Sequence, residues 1–122
     1  MNPVKKSGAE IIIADEHWMQ YLDSQKATAV SIGDIIVFRP DATITEVLEE
    51  TYHFRQNQKK LNIQYPTGQR QIMNEIEAQR YLISVAERYK IPIEQREETQ
   101  VLLEKYQADM EAMKKAGEWV YD

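Results

Sequence analysis

The chain has no cysteine, which excludes disulfide bonds, thiolate zinc sites and cysteine nucleophiles. Glycine and proline number only four each, so there is little room for long flexible linkers. No apolar run approaches the length of a membrane span, and the first ten residues lack the apolar core of a signal peptide. We therefore expect a cytoplasmic protein, or a virion or secreted effector domain if the sequence is part of a longer chain.

Clustered positive charge is also lacking. The chain has 15 lysine and arginine residues against 20 aspartate and glutamate residues, which gives a net charge of −5. Proteins that bind nucleic acids or anionic membranes do so through basic patches. The charge balance therefore argues against both as partners.

The apolar pattern predicts an α+β fold in which a small N-terminal antiparallel sheet precedes three helices. The 122 residues suit one domain with one core, preceded by a disordered stretch over residues 1–9. The sheet is expected within residues 10–40, with its strands at residues 10–14, 27–31 and 34–39. The last two strands flank Gly33, which predicts a hairpin, whereas residues 15–24 fit either a short helix or a loop.

Residues 43–117 form the predicted helical part. Thr43 and Glu46 have the spacing of a capping box, which marks the start of a helix. The three helices are predicted at residues 44–59, 70–90 and 94–116, and Pro92 ends the second of them.

One face of the first predicted helix carries a candidate site. Glu49 and His53 are one helical turn apart, so their side chains share a face. That face lies opposite an apolar arc that should face the core, made of Ile44, Val47, Leu48, Thr51 and Tyr52. A carboxylate and an imidazole placed in this way can bind one metal ion, and Glu50 beside them could act as a general base.

The segment Glu49-Glu50-Thr51-Tyr52-His53 resembles the active-site helix of zincin metallopeptidases, whose signature is His-Glu-x-x-His. The later Asn74-Glu-Ile-Glu-Ala-Gln79 resembles the zincin pattern in which a second helix supplies a glutamate ligand. The run from residue 33 to about residue 116 is similar to zincin-like toxin domains of bacterial polymorphic toxins and to domains of phage minor head proteins.

The resemblance implies a metal-dependent peptidase with a peptide or protein substrate. Glu49, His53 and Glu77 would be the metal ligands, with Glu75 as the fallback for Glu77, and Glu50 would be the general base. The metal would be zinc or manganese. The strand at residues 34–39 would bind an extended substrate by edge pairing.

Three alternatives stay open. The glutamates and His53 could simply form a solvated helix face, since glutamates near a helix N-terminus complement its dipole. Glu49 stands where zincins have histidine, so the chain could be a degenerate zincin that binds no metal and serves as a structural or interaction domain of a phage-related protein. A nuclease toxin is the third alternative, although it would want a basic cleft.

Overall fold

A computed structural model describes residues 10–121. In chain order its elements are β1 (Glu10–Ile13), α1 (Glu16–Ser24), β2 (Ala29–Ile32), β3 (Ile35–Phe38), α2 (Ile44–Gln58), α3 (Thr67–Val85) and α4 (Ile93–Lys115). The α+β class is confirmed. The expected disorder over residues 1–9 lies outside the described residues. None of the helices in the described part is both long and apolar enough to cross a membrane.

The sheet is mixed, and the predicted antiparallel sheet is wrong in this respect. Its strand order is β1-β3-β2, with β2 antiparallel to β3 and β1 parallel to β3. The hairpin prediction holds, because Gly33 begins the two-residue turn between β2 and β3 with a φ of +58°. No tight turn ties β1 to the hairpin, so the sequence pattern could not set its direction.

Strand β3 is central and is covered on both faces. Ile36 and Phe38 pack with Phe54 of α2 in one cluster. Val37, which points to the opposite face, packs with Leu22 of α1 in another. Because β3 is hydrogen-bonded on both sides, the expectation that residues 34–39 pair with a substrate at an edge is wrong; the edge strands are β1 and β2.

The described residues contain four helices rather than the predicted three. The additional helix is α1, in the stretch that the sequence left undecided, and the Asp15 carboxylate caps it by accepting from the Trp18 backbone N–H at 3.0 Å. The N-cap of α2 is confirmed, because Thr43 Oγ1 accepts from the Glu46 N–H at 3.1 Å.

The remaining two helices differ from prediction mainly at their ends. Helix α3 begins at Thr67 rather than residue 70, directly after Pro66, whose missing N–H costs nothing at a helix start. It ends at Val85 rather than residue 90, and hydrogen-bonded turns follow over residues 86–90. Helix α4 begins at Ile93, with Pro92 as its N-cap residue.

The chain divides into two compact units, one up to Arg55 and one from Gln56 onward. The prediction of a single domain over residues 1–122 stays a prediction. Within the second unit α3 and α4 run antiparallel, since Gln69 near the start of α3 bonds to Val120 beyond the end of α4. The buried apolar residues of this unit are Ile76, Ala78, Leu82, Val85, Ala86, Ile91 and Leu103.

Candidate metal centre

The rotation of α2 follows from its buried side. Leu48 and Thr51 are almost fully buried, as the predicted apolar arc requires, and Phe54 extends that side by one more turn. The Thr51 hydroxyl is satisfied by donating to the Val47 carbonyl at 2.6 Å. Ile44 departs from the prediction, because 38% of its surface remains exposed in the first turn. With this side fixed, the direction of the other α2 side chains is fixed as well.

Glu49 and His53 share another face of α2, as predicted. His53 Nε2 lies 4.0 Å from Glu49 Oε1, and the two side chains are 20% and 27% exposed. These exposed fractions are smaller than those of side chains on a freely solvated helix face. The distance is longer than a hydrogen bond. Two ligand atoms of a tetrahedral zinc ion lie about 3.3 Å apart, so only a small rotamer adjustment separates this pair from a ligating geometry.

The third ligand that the resemblance implies comes from α3. Its two candidates, Glu75 and Glu77, are both half-buried there. Two carboxylates and one imidazole are an accepted ligand set for zinc and for manganese. The donor types present therefore fit a divalent cation.

The Glu77 carboxylate is hydrogen-bonded to a buried side chain. Its Oε2 accepts from Gln56 Nε2 at 3.3 Å, and the same amide nitrogen donates to the Asn74 carbonyl at 3.0 Å. Gln56 is only 2% exposed. Glu77 therefore helps to satisfy the amide of a buried glutamine, which is a sufficient reason for its position on α3. Its assignment as a ligand stays a prediction.

The general base assigned from the resemblance, Glu50, is half-buried on α2. Its role stays a prediction. His17, the other histidine of the chain, is exposed on α1.

Sequence reasoning gave no role to two buried glutamines. Gln56 follows Glu49 and His53 at seven and three residues, so the helical spacing alone places it on their face. That spacing could have identified it. Gln69, which is fully buried near the start of α3, follows Pro-Thr-Gly and carries no comparable signal in the sequence.

Comparison with known proteins adds no relative. The chain matches no protein-family model, no curated protein and no solved structure. The similarity to zincins therefore depends on the short motifs alone.

Proposed function

We propose that this chain binds a divalent cation through Glu49, His53 and Glu75 and uses it to hydrolyse peptide bonds. The observation that carries the proposal is the pair of His53 Nε2 and Glu49 Oε1, which lie 4.0 Å apart on α2. Glu75 is preferred to Glu77 as the third ligand because the Glu77 carboxylate already accepts from the Gln56 amide. The resemblance of residues 49–53 to the zincin helix supports peptide hydrolysis as the reaction. Both parts rest on the same face of α2.

The ligand set favours zinc or manganese over softer ions, because it has two carboxylate oxygens, one imidazole nitrogen and no thiolate. With three protein ligands, a tetrahedral ion would keep one position for water or substrate, which is the pattern of catalytic rather than structural zinc sites. Two carboxylates also make the site more anionic than one with two histidines, and this favours retention of the cation.

Each protein side chain has a distinct task in the proposed reaction. When bound, the cation would polarise the scissile carbonyl and acidify a water molecule. Glu50 would take the proton from that water and return it to the leaving amine, as a general base and then a general acid. Glu49, His53 and Glu75 would hold the cation and would not exchange protons with the substrate.

Metal binding is tested with protein purified without chelator or affinity-tag metal. Elemental analysis should find about one zinc or manganese ion per chain, and calorimetric titration of the metal-free protein should give one site. His53→Ala should lose this binding, because the imidazole is the only nitrogen ligand of the group. His17→Ala, which changes the other histidine, should bind as the unchanged chain does. Equal loss in both variants, or no binding at all, would contradict the proposal.

Peptide hydrolysis is tested separately with mixed fluorogenic peptides and unfolded protein substrates. Glu50→Gln should keep the metal and lose cleavage, because glutamine cannot accept the proton. Glu46→Gln provides the matched control, since it lies one turn earlier on α2. Cleavage by Glu50→Gln at the rate of the unchanged chain would rule out the assigned mechanism.

One observation favours a second function without catalysis. Glu49 occupies the position where zincins have their first histidine, and that departure is expected in a degenerate site. A chain that binds metal but cleaves no substrate would act as a metal-stabilised interaction domain. Cleavage of RNA or DNA in the same assays would point instead to a nuclease.

A further inference from the structure

The side chain of Gln69 binds the backbone of a distant residue. Its Nε2 donates to the Val120 carbonyl oxygen at 2.8 Å, and its Oε1 accepts from the Val120 N–H, also at 2.8 Å. The same nitrogen lies 3.8 Å from Met73 Sδ. Gln69 itself is fully buried, with 0% exposure. Both ends of one amide are thus used to hold one residue of the segment 118–121, which follows α4.

The paired bonds reproduce the hydrogen bonding of a strand pair. A residue in extended conformation directs its N–H and C=O to the same side. In a sheet, the neighbouring strand provides one C=O acceptor and one N–H donor for them. The Gln69 amide supplies this acceptor and donor from a helix. The recognition is of backbone and not of side chain, and 46% of the Val120 surface remains exposed.

The start of the segment is joined to α4, because the Glu118 N–H donates to the Met113 carbonyl at 2.9 Å. Trp119 is half-buried and lies against Lys114, whose Nζ is 5.5 Å from the indole ring centroid. Tyr121 is 69% exposed. A segment with few buried apolar contacts opens locally at a small fraction of the free energy of global unfolding.

We propose that Gln69 is a binding site for the backbone of an extended peptide, and that residues 119–121 occupy it as a displaceable strap. The ligand class is any extended peptide that offers a free N–H and C=O at the central position, with an aromatic residue before it to replace Trp119. When the strap leaves, Gln69 loses both of its hydrogen bonds to Val120, and an incoming peptide restores both. This site is independent of the proposed metal centre.

The test uses the full chain and a fluorescent, end-blocked peptide with the sequence of residues 117–121, Gly-Glu-Trp-Val-Tyr. Val120→Pro removes the backbone N–H of the strap and should release it. In fluorescence polarisation, Val120→Pro should bind the peptide at least about tenfold more tightly than the unchanged chain, because it no longer supplies a competing strap. A peptide N-methylated at its valine should bind neither protein, since it lacks the same N–H.

Two further measurements keep the test independent of folding defects. Adding Gln69→Leu to the Val120→Pro chain should remove peptide binding while circular dichroism stays that of a folded protein. In the unchanged chain, hydrogen exchange at Val120 should be faster than at Leu103 by at least about a hundredfold, as local opening requires. Equal exchange rates at the two amides, or binding of the N-methylated peptide, would overturn the proposal.

Discussion

His53 Nε2 lies 4.0 Å from Glu49 Oε1, one turn away on α2. Both residues belong to one helix, and other residues of that helix determine which of its sides faces inward. Thr43 caps its N-terminus, and the burial of Leu48 fixes the side that faces inward. The imidazole and the carboxylate are therefore presented together without depending on any loop. The partial burial of both side chains restricts their rotation before a cation arrives, which lowers the entropic cost of binding.

The identity of the third ligand gives the first prediction. Glu75→Gln should weaken zinc binding by at least about a hundredfold, because loss of a direct ligand costs no less than loss of a group that supports one. Glu77→Gln should change zinc affinity less than about threefold, since a glutamine oxygen can still accept from Gln56. Calorimetric titration of both variants measures the difference.

The two substitutions are matched in chemistry and lie on the same helix, so they control for each other. If Glu77→Gln loses zinc and Glu75→Gln keeps it, the ligand set first expected from the motif is correct. Thermal unfolding without metal should be similar for the two variants, and this separates ligand loss from damage to α3.

Local signals in the sequence predicted local structure well. The Thr43 cap and the spacing of Glu49 and His53 were readable because both depend only on residues within one or two turns. The Gly33 turn was readable because few residues adopt a positive φ. Each of these features lies within a short stretch of chain.

Features that depend on distant partners were not readable. Strand β1 pairs in parallel with the side of β3 that the hairpin leaves open. The paired residues are far apart in the chain, since Glu10 is opposite Ile35, 25 residues later. Glu75 and Glu77 are both glutamates on one helix, and the Gln56 amide that donates to Glu77 is not evident from the sequence around either of them. The contact of Gln69 with Val120 spans 51 residues. The pattern of apolar and polar residues within α3 does not indicate a contact of this kind.

Arg96 gives the second prediction, because it joins the end of α3 to the start of α4. Its Nε donates to the Ile91 carbonyl at 2.7 Å, its Nη2 to the Ala86 carbonyl at 3.3 Å, and its Nη1 to Glu87 Oε1 at 2.9 Å. Lysine has a single nitrogen and cannot reach all three acceptors. Arg96→Lys should lower the free energy of unfolding by about 1–2 kcal/mol, measured by urea denaturation.

The control for Arg96 separates the backbone contacts from the ion pair. The Glu87 side chain is 92% exposed, so its ion pair with Arg96 contributes little. Glu87→Gln should therefore change the free energy of unfolding by less than about 0.5 kcal/mol. A larger loss in Glu87→Gln than in Arg96→Lys would mean that the ion pair and not the carbonyl contacts stabilises this connection.

The ends of the four described helices give the third prediction. Helices α1, α2 and α4 end in a Schellman motif, in which the backbone N–H groups of two successive residues turn back to carbonyls of the last turn, and the turns that follow α3 end in the same motif. In the turns after α3, the Ile91 N–H donates to the Ala86 carbonyl at 2.9 Å and the Lys90 N–H to the Glu87 carbonyl at 3.2 Å. The residue with positive φ in each motif is Lys26, Lys60, Lys90 or Gly117, in chain order.

Lysine is an unusual choice at such a position, because its Cβ is strained at positive φ. Lys90→Gly should raise the free energy of unfolding by about 0.5–1 kcal/mol, after allowance for the greater freedom of glycine in the unfolded chain and for the lost charge at the helix C-terminus. Lys60→Gly should act in the same direction. Urea denaturation of each variant, with slopes compared to the unchanged chain, measures the effect.

Two controls separate backbone strain from charge. Lys90→Ala removes the charge and keeps the strained backbone, so it should not raise the free energy of unfolding. Gly117→Ala should destabilise by about 1 kcal/mol, and since a Cβ at Gly117 would meet no atom within 4 Å, this loss would come from the φ of +73° and not from a clash. If Lys90→Gly and Lys90→Ala have equal stability, the positive φ at residue 90 carries no strain and the helix end is held by its carbonyl contacts alone.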